Sequence, residues 1–473
     1  MQNKQDQLQA HVFVLGRVVS ALTRGEPDAA ETPMRRFSRA TMGGILVAAL
    51  LVAGFVVTGL IVPGIGAPSW RTPGTLIVEE GTGSRYVLLR GVLHPVVNYA
   101  SARLLGVNAE STSVPQEKLA GVPHGAPLGI PGAPEALPDP ARLGGRDWLV
   151  CSSAAKSSKD SSETVRDVTA VDGALRSTAP GSGEAALVQT PDDKLYVVSH
   201  GKLLRLPDRS AQLALGYGTA DPWPVSALWA SAFPKGPDVR APQVSGRGSP
   251  GPRVGDRATR VGDVLRVETG PGSGTQYFLV LAGGLAPLTE TQARLATVKA
   301  GGETAKVTAA EAASAPQVAA PKKAVELPAT PPQLISPSDG VRRMPCVAMA
   351  LDTGGTVESA QLRFTVADAD ALTDGEEDAG PTPGEVKPGA GVLASAPAKP
   401  GTSIRATYLI TDLGVKFSLP SDGTTDPATS LGYANSQRVT IPDALLKLLP
   451  TGPELTPSAA EREQSITRSA KSP

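Results

Sequence analysis

The sequence predicts an α+β protein with a single N-terminal transmembrane helix, followed by an extracytoplasmic region of four small α/β repeat domains around a central β domain. Three observations lead to this fold class. Residues 42–62 form an uninterrupted apolar run, and one composite pattern of strand-like segments and glycine turns recurs along the rest of the chain. Strand-like segments of a different composition lie between the copies. The chain is therefore expected to divide at the apolar run.

Residues 1–41 are predicted to be a cytoplasmic segment that contains one amphipathic helix. From Lys4 to Arg24 apolar residues recur at steps of three and four, as they do on one face of an α-helix, and Gly25 and Pro27 end the pattern. A helix this short cannot bury its apolar face alone, so it should bind a partner protein or the membrane surface. Its mixed charge favours a protein. The residues expected to make this contact are Leu8, Val12, Leu15, Val19 and Leu22.

Residues 42–62 are predicted to cross the membrane. They include no charged side chain, and at about 1.5 Å per residue they would span roughly 31 Å, close to the thickness of a hydrocarbon core. Arg35, Arg36 and Arg39 precede the run, which places the N-terminus in the cytoplasm. A buried helix of a soluble protein and a cleaved signal peptide are the alternatives. The signal peptide fits poorly because the charged region and the apolar run are both too long. We expect a single-pass protein of the cell membrane.

Composition limits the function classes. The 473 residues include 51 Gly and 44 Pro with only 4% aromatic residues, which indicates many turns and several solvated linkers. The formal net charge of zero argues against nucleic-acid binding, which usually requires a basic face. Cys151 and Cys346 both fall in the outer region, where an intramolecular disulfide is expected and two buried free thiols are the alternative.

The repeats are predicted at residues 63–138, 181–245, 246–300 and 403–457. Three copies share a Leu-Gly pair and a closing Pro-x-Gly, whereas the copy at 246–300 keeps the strands but lacks the closing motif. Each unit is predicted to be a β-hairpin, a helix or turn centred on Leu-Gly, and a short helix ended by Pro and Gly. Units of this size are marginal alone, so they should pack on one another or on a shared core.

The remaining segments are predicted to be a central β domain and its linkers. Residues 139–180 and 336–366, together with part of 246–300, should supply this domain, with strands that meet at the cysteines. The Ala/Pro-rich stretch 301–335 and the acidic Gly/Pro/Ala-rich stretch 367–402 hold too few large apolar residues to pack. The tail 458–473 is expected to be disordered.

No catalytic, cofactor-binding or metal-binding residues are predicted. The four histidines are scattered, and the glycine-rich stretch 270–275 lacks the lysine of a phosphate-binding loop and lies within a predicted hairpin. The serines have no Gly-x-Ser-x-Gly context, and the carboxylates at 376–378 lie in a solvated linker.

Several ordered features resemble one family, EccB, the B component of the type VII (ESX) secretion machinery of actinobacteria. They are QDQLQA at 5–10, RGEPD at 24–28, the single span, the Leu-Gly repeats with their Pro-x-Gly-Pro endings, and the two spaced cysteines. Glu26 stands where the family usually has Asp, and the acidic stretch after Ala367 looks like a local insertion.

The resemblance implies a structural subunit of the inner-membrane secretion complex with an elongated outer region clamped by a Cys151–Cys346 disulfide. The implied partners are the other Ecc membrane components, including the FtsK/SpoIIIE-type ATPase subunit, with self-association as a further expectation. The family's repeats look like a cell-wall-binding subunit of phage lysins, so a cell-wall-binding anchor that contacts peptidoglycan is one alternative. Some members are catalogued as ATPases, so a nucleotide-hydrolysing subunit without a Walker motif is the other.

Overall fold

A computed structural model describes residues 4–25, 33–61, 70–108, 110–156, 163–268, 274–301, 303–319, 327–337, 343–366, 381–397, 405–421 and 425–464. The helices are α1 (Lys4–Arg24), α2 (Pro33–Ile61), α3 (Tyr99–Leu104), α4 (Gln116–Leu119), α5 (Arg209–Leu215), α6 (Ala227–Ser231), α7 (Glu290–Ala300), α8 (Ala309–Ser314), α9 (Pro427–Ser430), α10 (Asp443–Leu446) and α11 (Pro457–Ala460).

The strands form five sheets within these described ranges. They are β1 (Leu76–Glu79), β2 (Arg85–Leu89), β3 (Val92–Pro95), β4 (Ser111–Val114), β5 (Asp147–Lys156), β6 (Glu163–Val171), β7 (Glu184–Gln189), β8 (Leu195–Ser199), β9 (Lys202–Arg205), β10 (Trp223–Pro224), β11 (Val264–Glu268), β12 (Thr275–Leu281), β13 (Gly284–Leu288), β14 (Ala305–Val307), β15 (Gln333–Ile335), β16 (Arg343–Leu351), β17 (Val357–Val366), β18 (Val392–Ser395), β19 (Thr407–Ile410), β20 (Lys416–Ser418) and β21 (Val439–Thr440).

The N-terminal region consists of two helices. α1 has the predicted bounds, and Gly25 follows it with a φ of 71°, a conformation that suits a helix end. The apolar run belongs to the longer helix α2, and its last residue, Val62, lies outside the described residues. Over the part of the chain that the structure describes, no helix reaches the combined length and apolar character of a membrane span. The transmembrane prediction is therefore not confirmed.

Four of the five sheets share one topology. Three consecutive antiparallel strands are joined by a fourth strand that runs parallel to the first, on its other edge. We name these units repeat 1 (β1–β4), repeat 2 (β7–β10), repeat 3 (β11–β14) and repeat 4 (β18–β21). The predicted two-stranded hairpin was thus one strand short, because the third strand follows a tight turn and pairs with the second.

In every repeat a helix connects the third strand to the fourth and ends at a glycine. These helices are α3, α5, α7 and α9, and the glycines Gly106, Gly216, Gly301 and Gly432 all have positive φ values. Only glycine adopts this left-handed conformation without a steric penalty, so the Leu-Gly pairs are helix ends.

The Pro-x-Gly motif closes repeats 1, 2 and 4 by returning the chain to the third strand. In repeat 4, Lys416 N donates to Pro450 O and Gly452 N donates to Lys416 O. Gly452 is required because a Cβ there would lie 2.3 Å from the Phe417 ring. Repeat 3 closes in the same register with Val318 in place of the glycine, and the residue at the position of Phe417 is Ala286. Because Ala286 is much smaller than phenylalanine, it leaves room for the side chain of Val318, and repeat 3 needs no glycine there.

The central sheet has the strand order β17-β16-β5-β6 and brings the two cysteines together. Cys151 on β5 lies directly opposite Cys346 on β16, and the two form a disulfide across 195 residues of sequence. Both residues are fully buried. The predicted disulfide and the predicted meeting of strands at the cysteines are confirmed.

The five units pack in an order that differs from their order in sequence. Helix α3 of repeat 1 shares a core with Leu431 and Tyr433 of repeat 4. Repeat 4 and repeat 2 both contact the central sheet through one cluster that includes Val392 and Trp229. Repeat 3 contacts repeat 2 through α7 and α5. The order in space is repeat 1, repeat 4, central sheet, repeat 2, repeat 3.

Parts of three segments expected to be unfolded are folded. Residues 305–307 and 333–335 of the supposed linker 301–335 are β14 and β15, and β18, the first strand of repeat 4, lies in the supposed linker 367–402. Residues 457–464 of the C-terminal region form α11 and a short strap, in which Gln464 N donates to Pro127 O at 2.7 Å. Pairing with strands elsewhere in the chain stabilises these segments despite their small side chains. Residues 465–473 lie outside the described part.

Candidate functional site

The predicted partner-binding residues all lie on one solvent-exposed face of α1. Leu8, Val12, Leu15, Val19 and Leu22 expose 67, 63, 51, 38 and 81% of their surface, respectively. Because they are separated by alternating steps of four and three residues, they form a narrow stripe along the helix. An apolar stripe this exposed is typical of a surface that another molecule covers.

Helix α2 exposes a second set of apolar side chains. Met42, Ile45, Leu46, Leu50 and Leu51 each expose at least 60% of their surface. Sixteen of the twenty-one large apolar side chains that are exposed in the described ranges belong to α1 and α2. The remaining apolar residues are mostly packed into the cores of the repeats and the central sheet. Exposed apolar surface is thus concentrated on α1 and α2.

The histidines of the folded region have local structural contacts. A ring nitrogen of His94 lies 2.9 Å from Ala126 O, and one of His124 lies 2.9 Å from Val122 O. His200 lies in the turn between β8 and β9 with a φ of 48°. No group of three or more potential metal ligands occurs among the residues that the structure describes.

The glycine-rich stretch 270–275 connects the antiparallel strands β11 and β12. A phosphate-binding loop instead joins a strand to a helix, whose N-terminus contributes to anion binding. Residues 269–273 lie outside the described residues.

One carboxylate in a junction was not identified from the sequence. Asp167 on β6 accepts a hydrogen bond from Ser152 Oγ at 2.5 Å, and Ser152 Oγ in turn accepts from the backbone N–H of Ser226 in repeat 2 at 3.3 Å. Burial raises the pKa of Asp167, while hydrogen bonds from Ser152 and Ser226 act in the opposite direction. This network joins the central sheet to repeat 2. No local sequence signal marks it, because its members are 15 and 59 residues away from Asp167.

Two tyrosines in the Leu-Gly-Tyr motifs have the same role in different repeats. Tyr217 Oη donates to Pro332 O at 2.7 Å, and Tyr433 Oη donates to Pro138 O at 2.9 Å. Burial raises the pKa of both phenols. Each tyrosine therefore fixes a distant chain segment to its repeat. The motif was visible in the sequence, but its acceptor was not.

An open groove lies on one face of the central sheet. Asp147, Leu149, Ala348 and Arg363 are among its lining residues. The Arg363 guanidinium donates to Ser177 O and to Ser177 Oγ, both at 2.7 Å, so it holds the neighbouring segment in place. The contacts of Arg363 in this groove therefore join the segment at Ser177 to the central sheet.

Comparison with known proteins assigns this architecture to a family. The family described as "Type VII secretion system ESX-1, transport TM domain B" matches residues 2–467. The chain belongs to the EccB family. The resemblance inferred from the head motif, repeats and cysteines is confirmed.

Relatives and solved structures of EccB proteins agree with this assignment. The chain is 28% identical over 479 residues to "ESX-1 secretion system ATPase EccB1" of Mycobacterium tuberculosis H37Rv, which covers 98% of this chain and 95% of that protein. Its fold is similar to a chain of the intact ESX-5 inner membrane complex, with a TM-score of 0.57, 22% identity and coverage of 100% and 98% of the two chains. It is also similar to the EccB3 dimer from the ESX-3 core complex, with a TM-score of 0.55, 24% identity and coverage of 82% and 99%.

Proposed function

We propose that this chain is a membrane-anchored structural subunit of a type VII (ESX) secretion complex, which contributes to protein export by holding other subunits together. The observation that carries the proposal is the concentration of exposed apolar side chains on α1 and α2 in a chain whose folded region is otherwise internally packed. EccB-related chains occur in solved ESX inner membrane complexes, which supports the same function.

Helix α2 is proposed to be the single membrane anchor. Its residues 42–61 include no charged side chain, and its exposed leucines and valines would be stable in a hydrocarbon environment. The arginines at 35, 36 and 39 would lie on the cytoplasmic side, with α1. The repeats and the disulfide would then lie beyond the membrane, where an oxidising environment maintains the disulfide.

Protease protection tests this orientation. In intact cells stripped of their outer envelope, a protease should digest a C-terminal tag and leave an N-terminal tag protected. A C-terminal tag that is digested only after the cells are lysed would refute the orientation.

Helix α1 is proposed to bind another subunit through its apolar stripe. An aspartate in that contact would bury an unpaired charge, so Leu15→Asp and Leu22→Asp should each reduce the co-purification of other complex subunits at least about tenfold. Ala10→Asp is the matched control because Ala10 lies on the opposite face of α1. Unchanged co-purification in both stripe variants would show that the stripe does not hold the other subunits.

A nucleotide-hydrolysing subunit is the alternative, because related proteins carry the name ATPase. Phosphate release by the purified full chain separates the two proposals. We expect no hydrolysis that follows the protein through successive columns. Hydrolysis that does follow it would favour the alternative.

A further inference from the structure

The apolar stripe on α1 has the periodicity of a coiled-coil seam. Leu8, Val12, Leu15, Val19 and Leu22 are separated by steps of four, three, four and three residues. This 3.5-residue average is the heptad repeat, in which the a and d positions face a partner helix. Val12 and Val19 occupy a, and the three leucines occupy d. α1 is continuous over all five positions and exposes each of them.

The identity of the residues at a and d favours two parallel strands. A β-branched residue at a with leucine at d packs best in a parallel dimer, whereas other combinations favour three or four strands. Both a positions between Leu8 and Leu22 are valine, and all three d positions are leucine. The choice of residues therefore specifies the number of helices as well as the seam.

The positions that flank the seam permit pairing between identical helices. The e and g positions hold Gln9, His11, Gly16, Val18 and Thr23, with no lysine, arginine, aspartate or glutamate. Identical helices with like charges at these positions would repel each other, and that repulsion is absent here. The arginines at 17 and 24 lie at f, on the face away from the seam. The charge pattern thus favours a second copy of the same helix as the partner.

The seam extends over only two heptads, which is short for an independent coiled coil. Helix α2 begins at Pro33, only a few residues after α1 ends. If α2 is the membrane anchor, as proposed above, two chains in one complex would hold their α1 helices in the same orientation and at an effective concentration of about millimolar. Tethering in one complex would then compensate for the low stability of a coiled coil of only two heptads.

We propose that α1 pairs with α1 of a second copy of this chain as a parallel two-stranded coiled coil. This inference rests on the proposed function and names the partner of the same stripe. Phe13, which lies at an outer b position, exposes 67% of its surface and stays accessible to a different subunit.

Cysteine crosslinking in the full-length chain tests the pairing. Both native cysteines are held in the disulfide, so an introduced cysteine supplies the reactive thiol. In membrane vesicles treated with a mild oxidant, Leu15→Cys and Leu22→Cys should each give a band at twice the monomer mass on a non-reducing gel. Ala10→Cys, at an outer f position, should give at least about tenfold less.

The two seam variants distinguish the orientation of the helices. Leu15 lies at the middle of the seam, so Leu15→Cys would crosslink in a parallel or an antiparallel pair. Leu22 lies at one end, so Leu22→Cys crosslinks only in a parallel pair, and it leaves the other four seam residues intact. Dimer from Leu15→Cys alone would overturn the parallel arrangement, and dimer no stronger than that of Ala10→Cys in both variants would overturn the pairing.

The proposed function has a separate readout. If Leu15→Asp releases other subunits while neither cysteine variant crosslinks, α1 is an assembly helix whose partner is a different protein, and the coiled coil is refuted. If Leu15→Asp releases nothing and crosslinking also fails, both proposals are refuted. Crosslinking together with release of other subunits is the expected result.

Discussion

Gly452→Ala should destabilise the closing contact of repeat 4 through one steric clash. The added Cβ would lie 2.3 Å from Cε1 and 2.6 Å from Cδ1 of Phe417, whereas carbon atoms pack best at about 3.5–4.0 Å. Phe417 is 2% exposed and packs against Leu409, Leu431 and Leu455, so its ring cannot move without displacing the core. Overpacking of this kind costs about 1–3 kcal/mol.

The assay is thermal unfolding of the detergent-solubilised full chain, followed by tryptophan fluorescence. A loss of about 2 kcal/mol should lower the transition by on the order of 5 °C. Gly283→Ala is the matched control, because its Cβ would lie 3.6 Å from the nearest atom, Val318 Cγ1, and its φ is not positive. That control should change stability by no more than about 0.5 kcal/mol.

A double-mutant cycle tests the cause. Phe417→Ala alone should cost about 3–5 kcal/mol through the cavity that it leaves. In that background Gly452→Ala should cost nothing further, because the atoms that it would contact are gone, as in repeat 3 with Ala286 and Val318. If Gly452→Ala costs the same in both backgrounds, the clash with Phe417 is not the reason for the glycine.

Three further predictions concern the junctions between units. Cys151→Ser should abolish the mobility difference between reducing and non-reducing gels and lower stability by up to about 5 kcal/mol, since the disulfide closes a loop of 195 residues; unchanged stability would mean that the sheet alone holds the strands. Tyr433→Phe should cost about 1–3 kcal/mol in thermal unfolding, because Pro138 O would lose its buried donor, and an unshifted transition would contradict this. Asp167→Asn should maintain or raise the unfolding temperature at neutral pH. Burial raises the folded-state pKa of Asp167 above the ordinary 3.8. Its stabilising contribution to the free energy of unfolding is therefore greatest below pH 3.8 and is lost as pH rises through the folded-state pKa. The variant should lack that pH dependence, and a steeper dependence would refute the reasoning.

Local features of the fold could be predicted where they depend on neighbours in sequence. The bounds of α1 follow from its periodicity and from Gly25. The Leu-Gly pairs were predicted as the centre of a helix or turn, and the structure places them at helix ends, where glycine alone tolerates the conformation. The strands around Cys151 and Cys346 were predicted from their apolar composition and location. The stripe of five residues on α1 was predicted from the helical periodicity of its apolar residues, as a face that a partner protein or the membrane surface covers.

Features that depend on distant pairing could not be predicted. β18 has the sequence VLAS within a stretch rich in Gly, Pro and Ala, and it is buried only because β19 and β21 flank it. The Asp167–Ser152–Ser226 network and the acceptors of the two tyrosines likewise require atoms from distant parts of the chain.

The sequence by itself determined that one strand-and-glycine pattern recurs, where its turn glycines lie and which strands carry the cysteines, because each depends on local backbone geometry and on the alternation of apolar residues. Only the tertiary structure decided that repeat 1 packs on repeat 4 and repeat 2 on repeat 3, with the central sheet between the pairs. Apolar surface is not directional, so similar repeats could pair in several ways. The choice among them depends on the fit of particular side chains, such as Tyr433 against Pro138, which no local pattern records.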